Sequence, residues 1–484
     1  MIFAGERPAA SLSDAVRRGE LRRLARGIYT SDLGDDPVVI ALRNWLAITA
    51  WRFPGAVLTD RSARRALPEI GGRLFVAWER PGVLEVPGLT VVARRGPSAL
   101  DGDLALPEGL WLASRSRAML ENLAPSRRSK AGAARTLGAG GVADWIDLLC
   151  QTEGVDALVR YRAQAHQLVD LVGAGHAAVA ILDDLIGAAL GTSDVEVGSP
   201  ALDARRRGLP FDQAAVARFD LLVDVLRDRP LAEVPALDDD ASRRELLPFF
   251  EAYFSNFIEG TEFTPVEAEQ IVSSGRVPDE RPADGHDVLG TYRVLADDAG
   301  LADEPVSLDA FLGRLQCWHR SIMEGRPAVG PGEWKVVANR VGSTVFVAPD
   351  LVVGTLAQVW NRLHLLHTPA QRAIFLLYAV AEVHPFADGN GRVARVAMTA
   401  EHVAGAQMRV IVPTISRNDY LAGLRRMSRQ DRPDLLIEVV DRLQRFTGRI
   451  DFSSFERAQA ELDAAQAFVD ANEAERRGLH LLMP

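Results

Sequence analysis

The chain has 484 residues, of which 48% are hydrophobic and 25% charged, a balance that suits about two to four packed domains and excludes a disordered or fibrous chain. No apolar run reaches the roughly 18 residues of a membrane-spanning helix, and MIFAGERPAASLSD lacks the basic-then-apolar layout of a secretory leader. Cys150 and Cys317 are far apart, with no metal spacing, so a reducing cytoplasm is expected and no membrane partner. The net charge is −10, yet residues 1–130 carry 20 Lys+Arg against 14 Asp+Glu. A basic front part on an acidic body suits nucleic acid or an acidic partner, and equally a surface of scattered solvated arginines.

Residues 11–30, SLSDAVRRGELRRLARGIYT, predict a short helix capped by Ser11 or Ser13, a turn at Gly19, a second basic helix, and a strand entered through Gly27-Ile28-Tyr29. Helical spacing over 40–53 is followed by the strand candidates GRLFVAW, GLTVVAR and LWLAS. Small and basic residues at 125–141 predict a linker, 142–190 reads as helical, and GTSDVEVGSP (191–200) is a boundary. Helical periods dominate beyond about 205, except near 330–350. There PGEWKVVANRVGSTVFVAPD alternates and turns at Val341-Gly342-Ser343, a hairpin signal. His364 and His367 lie three apart without a third ligand, so no metal site is expected there; Cys317 is expected in a core.

The most informative segment is TPAQRAIFLLYAVAEV (368–383) followed by HPFADGNGRVAR (384–395). Thr368 suits an N-cap and Pro369 the first helical position; Pro385 ends the helix and drives His384 out of helical angles. The glycines allow backbone N–H groups to converge on an anion, and a new helix starts near Gly391. Arg392 and Arg395 in its first turns oppose the helix dipole, at about 0.3–1 kcal/mol each, unless a multiply charged anion such as a phosphate chain lies there. Asp388 would repel phosphate oxygens without a divalent cation between them, so Mg²⁺ is implied. His384 at the mouth has the chemistry to accept a proton from a hydroxyl.

HPFADGNGRVAR resembles the Fic signature His-Pro-Phe-x-Asp/Glu-Gly-Asn-Gly-Arg-x-x-Arg in full. The resemblance implies AMP transfer from ATP to a hydroxyl of a target protein, with self-modification and a homodimer left open. It implies His384 as general base, Asp388 as the Mg²⁺ ligand, and Asn390 with the N–H groups of Gly389 and Gly391 on the ATP phosphates. Arg392 is then assigned to the β-phosphate, Arg395 to the γ-phosphate, and Phe386 to anchoring the loop; Tyr420, in SRNDYLAGL, is placed on the adenine side.

In SNFIEG, Ser255 and Glu259 share a helix face and Gly260 is the stop. An acid in a last turn and arginines in a first turn each oppose their own dipole, and pairing would relieve both. Ser255, Glu259 and Gly260 also match the family's inhibitory motif Ser/Thr-x-x-x-Glu-Gly/Asn. That implies that Glu259 occupies the γ-phosphate position through Arg395, with AMP removal as another role known for such a glutamate. The hairpin Val341, Gly342, Ser343, Thr344 and Val345 corresponds to the family's target-docking flap, with Trp334-Lys335 where an arginine is common.

ELRRLARGIYT is similar to the winged-helix part of AbiE-type toxin–antitoxin regulators, which offers Arg17, Arg18, Arg22, Arg23 and Arg26 to DNA. The expected fold is therefore mainly α: a helical Fic-type core with a short β-hairpin flap, preceded by an α+β, winged-helix-like module. The expected domains are 1–130 (α+β module), 131–204 (helical connector), 205–450 (catalytic, with the inhibitory helix) and 451–484 (helical tail). The function expected is an autoinhibited protein adenylyltransferase using ATP and Mg²⁺; the alternatives are a nucleotide-sensing DNA-binding regulator and an enzyme that removes AMP.

Overall fold

The computed structural model describes residues 1–69, 71–126, 134–196, 198–236 and 241–484. The chain forms two compact units, Met1–Gly208 and Leu209–Pro484. It is mostly helical, with the sheets of an α+β module in the first unit and one two-stranded hairpin in the second. Among the described residues no helix is long and apolar enough to cross a membrane.

The first unit opens with a three-stranded antiparallel sheet in the order Ile2–Phe3, Ile28–Thr30, Arg22–Ala25, with the helix Ala9–Arg17 between its strands. The expected second basic helix is thus a strand. Gly19 and Gly27 both have positive φ and bracket a segment too short to repay helix nucleation. That segment pairs with its neighbour instead, Arg22 opposite Thr30 and Arg23 opposite Tyr29. A Cβ at Gly27 would lie 2.9 Å from the Trp51 ring, so the turn needs glycine twice over. Ser11 and Ser13 lie inside the first helix, which Pro8 precedes, and neither caps it.

A six-stranded mixed sheet follows, in the order Gly82–Val86, Leu89–Arg95, Arg73–Trp78, Val57–Leu58, Trp111–Leu112, Leu104–Ala105. The three strand candidates read from the sequence are all in it. The helices Gly138–Glu153, Val155–Val172 and His176–Ala189 pack into one core with Val57, Ala77 and Ala113 of the sheet region. The expected connector therefore shares its core with the module before it. Of the linker expected at 125–141, residues 127–133 lie outside the described residues, as does Val197 of the boundary stretch.

The second unit is built round the helix Pro369–Val383, nearly all of whose side chains are buried. Thr368 and Gln371 close a capping box at its start, with Pro369 in the first turn. It packs on the helices Gln213–Asp228, Val352–Leu363 and Asn390–Ala404. The hairpin is shorter than the alternation suggested: Arg340–Val341 pairs with Thr344–Val345 around Gly342-Ser343. The expected helical tail holds two helices, Phe455–Ala464 and Ala471–Arg477, and it is part of the core. Phe452, Ala458 and Leu462 are fully buried in one cluster with Phe250 and Phe254. Cys317 is exposed rather than in a core, because the helix Leu308–Ile322 buries Phe311, Leu315, His319 and Ile322 and turns position 317 away.

Candidate functional site

The helix Pro369–Val383 stops at His384, which takes φ 50°, ψ 58° as Pro385 follows. A non-glycine residue held in the left-handed region costs on the order of 1–3 kcal/mol and marks a site worth explaining. The conformation is held from several sides. His384 Nδ1–H donates to the Ala381 carbonyl at 3.2 Å, and the ring stacks on Phe346 at 3.7 Å between centroids. The same hydrogen bond fixes the neutral tautomer, since a carbonyl only accepts, and leaves Nε2 as the free acceptor. Burial pushes the imidazole pKa down to about 4; the Lys335 ammonium adds to this, while the Ala381 carbonyl, Glu259 and Asp388 oppose it. His384 is therefore a base in its unprotonated form throughout the neutral range.

Phe386 is fully buried, with its ring stacked on His319 at 3.8 Å and on Trp334 at 5.1 Å. His319 accepts the Gly332 N–H on Nδ1 at 2.9 Å and so donates from Nε2 to the Asp388 carbonyl at 3.0 Å. Burial holds its pKa near 4, which keeps it neutral and suited to bridge two backbone groups. Asn390 does not offer its side chain to a ligand. The amide is 1% exposed and bonds the Phe386 backbone in both directions, at 2.8 Å each. The expected phosphate contact from Asn390 is thus limited to its backbone N–H in the first turn of the helix Asn390–Ala404, beside that of Gly391. Gly389 has φ 74°, and a Cβ there would lie 2.6 Å from the Met323 sulfur.

The two arginines of the loop differ. Arg395 is 4% exposed and lies against the helix Ala241–Ile258. Its Nε donates to Ser255 Oγ at 2.8 Å, and its Nη2 donates to the Ser255 carbonyl at 2.9 Å and to Glu259 Oε1 at 2.7 Å. Burial alone would lower the Arg395 pKa, but the Glu259 carboxylate and the Tyr420 hydroxyl outweigh it and raise it. Tyr420 thus sits beside Arg395. Arg392 faces a different acid: its Nη1 is 2.5 Å from Asp287 Oδ2 and 3.2 Å from Asn256 Oδ1. It is an occupied cation, where a phosphate ligand was expected, although its Nε has no partner among the described residues.

The helix Ala241–Ile258 and the helix after the loop face one another with a period of four. Glu251 accepts from Thr399, Ser255 from Arg395, and beyond the helix end Glu259 also from Arg395. The third rung depends on Gly391, where a Cβ would lie 2.2 Å from Glu259 Oε1. Gly260, at φ 92°, lets the chain turn away directly after the carboxylate.

His384, Arg395, Glu259, Gly391, Phe346 and Tyr420 line one cavity of about 290 Å³, together with Val341 and Thr344 of the hairpin. Thr344 Oγ1 accepts from Arg429 at 2.6 and 2.9 Å, and Val341 and Val345 are exposed. Asp388 is exposed; one carboxylate oxygen accepts the Gly389 N–H at 2.7 Å, leaving the other open. A single open carboxylate suits a cation that shares a nucleotide's phosphates. No group of three or more His, Cys, Asp or Glu side chains suited to a metal occurs among the described residues.

Residues 309–401 match the Fic/DOC family. This segment is similar to a Fic domain. The protein adenylyltransferases fic-1 of Caenorhabditis briggsae and Caenorhabditis elegans are 28% and 27% identical to the chain over 238 residues, which is 47% of this chain. The chain spans only 45% of the length of those curated relatives. A solved structure of Fic-1 (residues 134–508) from C. elegans aligns with a TM-score of 0.37 at 18% identity, covering 67% of this chain and 88% of that one. The loop His384–Arg395 lies within the matched residues; Ser255, Glu259 and Tyr420 lie outside them.

Asp287, Asn256, His319 and Phe346 belong to the site and were not read from the sequence. Asp287 and His319 each stand among other polar residues on their helices, with nothing in their spacing to betray a partner. Phe346 had a signal, being the first aromatic after the hairpin. Four of the five arginines offered to DNA make contacts within the first unit. Arg17 pairs with Asp14, Arg18 with Glu20 at 2.8 Å, Arg22 bonds the carbonyls of Leu33 and Asp35, and Arg23 that of Ala25.

Proposed function

We propose that the chain is a protein adenylyltransferase held in check by Glu259. The observation that carries this reading is the 2.7 Å ion pair between Glu259 and the buried Arg395, in the cavity that also holds the unprotonated His384. Arg395 is a buried cation whose one carboxylate partner among the described residues is itself 32% exposed, so a phosphate can replace it. ATP is the natural occupant: its γ-phosphate takes the place of the Glu259 carboxylate, and the N–H groups of Asn390 and Gly391 meet the phosphate chain at a helix start.

The reaction then needs one base. A hydroxyl oxygen of the target attacks the α-phosphorus of ATP, an O–P bond forms, and the bond to the β-phosphate bridging oxygen breaks. The proton passes to His384 Nε2, and pyrophosphate leaves. Mg²⁺, when bound, neutralises phosphate charge; Asp388 is the residue with an open oxygen to hold it. The target is a protein segment that lies along the hairpin Val341–Val345, where exposed backbone offers strand pairing. While Glu259 stays on Arg395, the triphosphate sits misplaced, and about 1 Å of error at the reacting atoms costs on the order of 10²-fold.

The test is the fate of label from ATP marked at the α- or the γ-phosphate, with Mg²⁺ and a bacterial lysate. The Glu259→Gly variant is expected to leave α-label and no γ-label on protein, and Glu259→Gly with His384→Ala neither. γ-label on protein would mean phosphoryl transfer and would overturn the reading.

A further inference from the structure

Beside the catalytic loop lies a buried lysine that the mechanism above does not use. Lys335 is 4% exposed and stands just before the hairpin. Its backbone N–H donates to the Pro385 carbonyl at 2.9 Å, and its ammonium donates to Asn339 Oδ1 at 2.8 Å and to the Val383 carbonyl at 3.3 Å. Asn339 in turn donates to the Phe386 carbonyl at 2.9 Å, and Trp334 stacks on Phe386. The segment 334–339 is thus bonded to Val383, Pro385 and Phe386, on both sides of His384. A buried ammonium has few reasons to be there; desolvation makes it expensive unless its partners are needed.

We propose that Lys335 is a positioning residue: held by Asn339 and the Val383 carbonyl, its ammonium ties the root of the hairpin to the loop that carries His384 and sets a fixed positive charge beside the imidazole. The inference deepens the transferase reading and rests on it for its rate readout alone. Target docking at the hairpin and base placement at His384 are then one mechanical unit, so a segment lying on Val341–Val345 pulls on the same bonds that aim Nε2.

The charges around His384 come from every element packed on it. Lys335 stands at the hairpin root, Glu259 past the end of the inhibitory helix, and Asp388 in the loop itself; Arg395, Glu382, Arg417, Arg425 and Arg429 line the same cavity, with Tyr378 and Tyr420. Of these, Lys335 is the cation that depresses His384. Burial lowers the pKa of Lys335 itself only to about 8, so it stays charged through the whole range in which an imidazole titrates. Removing that charge therefore raises the His384 pKa, and exchanging it for arginine does not.

The experiment follows the His384 ring by histidine-selective NMR between pH 7 and pH 5 in the full chain, assigned with His384→Ala. It compares wild type, Lys335→Met, Lys335→Arg and Asn339→Ala. The expected result is a stationary His384 resonance in wild type and Lys335→Arg, and one that titrates in Lys335→Met with a pKa about one unit higher. His402, also buried and bonded to Gln444, is the internal control and stays put; movement of both rings would mean general loosening and would overturn the assignment. In the Glu259→Gly background, Lys335→Met and Asn339→Ala are each expected to slow AMP transfer at pH 7 by about tenfold, with the KM for ATP little changed. A stationary His384 resonance in Lys335→Met, or transfer at the unaltered rate in both variants, overturns the proposal. Absence of transfer in Glu259→Gly itself, with the resonance shift present, overturns the transferase reading and leaves the Lys335 assignment standing.

Discussion

Arg117 in the first unit and Arg395 in the second are both buried, and they are held in opposite ways. In the first, Arg117 is fully buried and paired with Asp103 at 2.5 Å and Glu121 at 3.2 Å, acids whose side chains are 0% and 2% exposed. Arg94 joins the same group through Asp60 at 3.0 Å and Glu121 at 2.8 Å. Every member is locked, and the cluster welds the short helix after Val57–Leu58 to the helix Arg115–Leu123. In the second unit Arg395 is as deeply buried, but its acid, Glu259, reaches in from the end of a helix and keeps a third of its side chain in solvent. The difference separates scaffold from site. Arg117 with its buried partners holds a fold together, whereas Arg395 with its partly exposed partner is, in the function proposed above, a socket whose plug can be exchanged.

The contrast breaks most visibly at the base. In the Glu259→Gly background, His384→Ala is expected to reduce transfer by about 10²–10⁴-fold, the usual worth of a general base. Asp103→Ala strands Arg117 without its closest acid and is expected to destabilise the first unit by about 3–5 kcal/mol in denaturant melts. Glu259→Ala leaves Arg395 bonded to Ser255 and open to water through the cavity, and is expected to cost less than Asp103→Ala. Equal losses in the two variants would erase the distinction between weld and plug.

The remaining effect depends on pH and concerns Glu251, the innermost rung of the contact between the two facing helices. Burial pushes its carboxyl up to about 7, with Arg409 and Thr399 opposing. A raised carboxyl pKa means that the folded state binds the extra proton. Its contribution is complete below about 4.5 and is lost as pH rises through 7, at up to about 1.4 kcal/mol per pH unit. The difference in unfolding free energy between wild type and Glu251→Gln is expected to slope in that sense from pH 5 to 7. His319, His384 and His402, pushed down to about 4, slope the other way and cancel in that difference.

The loop His384–Arg395 was legible because its chemistry is written in consecutive residues and framed by two helix signals, Thr368-Pro369 and Pro385. The approach of Glu259 to Arg395 was legible for a different reason: each charge opposes its own helix dipole, and the two oppositions point at each other. What stayed hidden depends on tertiary partners. Arg392 looks like Arg395 until Asp287 is placed beside it, and Asn390 looks like a ligand until Phe386 takes both ends of its amide. Arg22–Ala25 reads as helix by composition; the glycines at 19 and 27 decide otherwise, by leaving too little chain between them. Cys317 was set in a core on composition alone, although Phe311, Leu315 and His319 define the buried face and exclude it.

The exchangeable plug is tested most directly by the initial rate of AMP transfer from α-labelled ATP in wild type and Glu259→Gly, at the same Mg²⁺ and ATP. With Glu259 on Arg395 as the brake, the variant is expected to be faster by on the order of 10²-fold. Equal rates, with both proteins folded and binding ATP, would contradict the account.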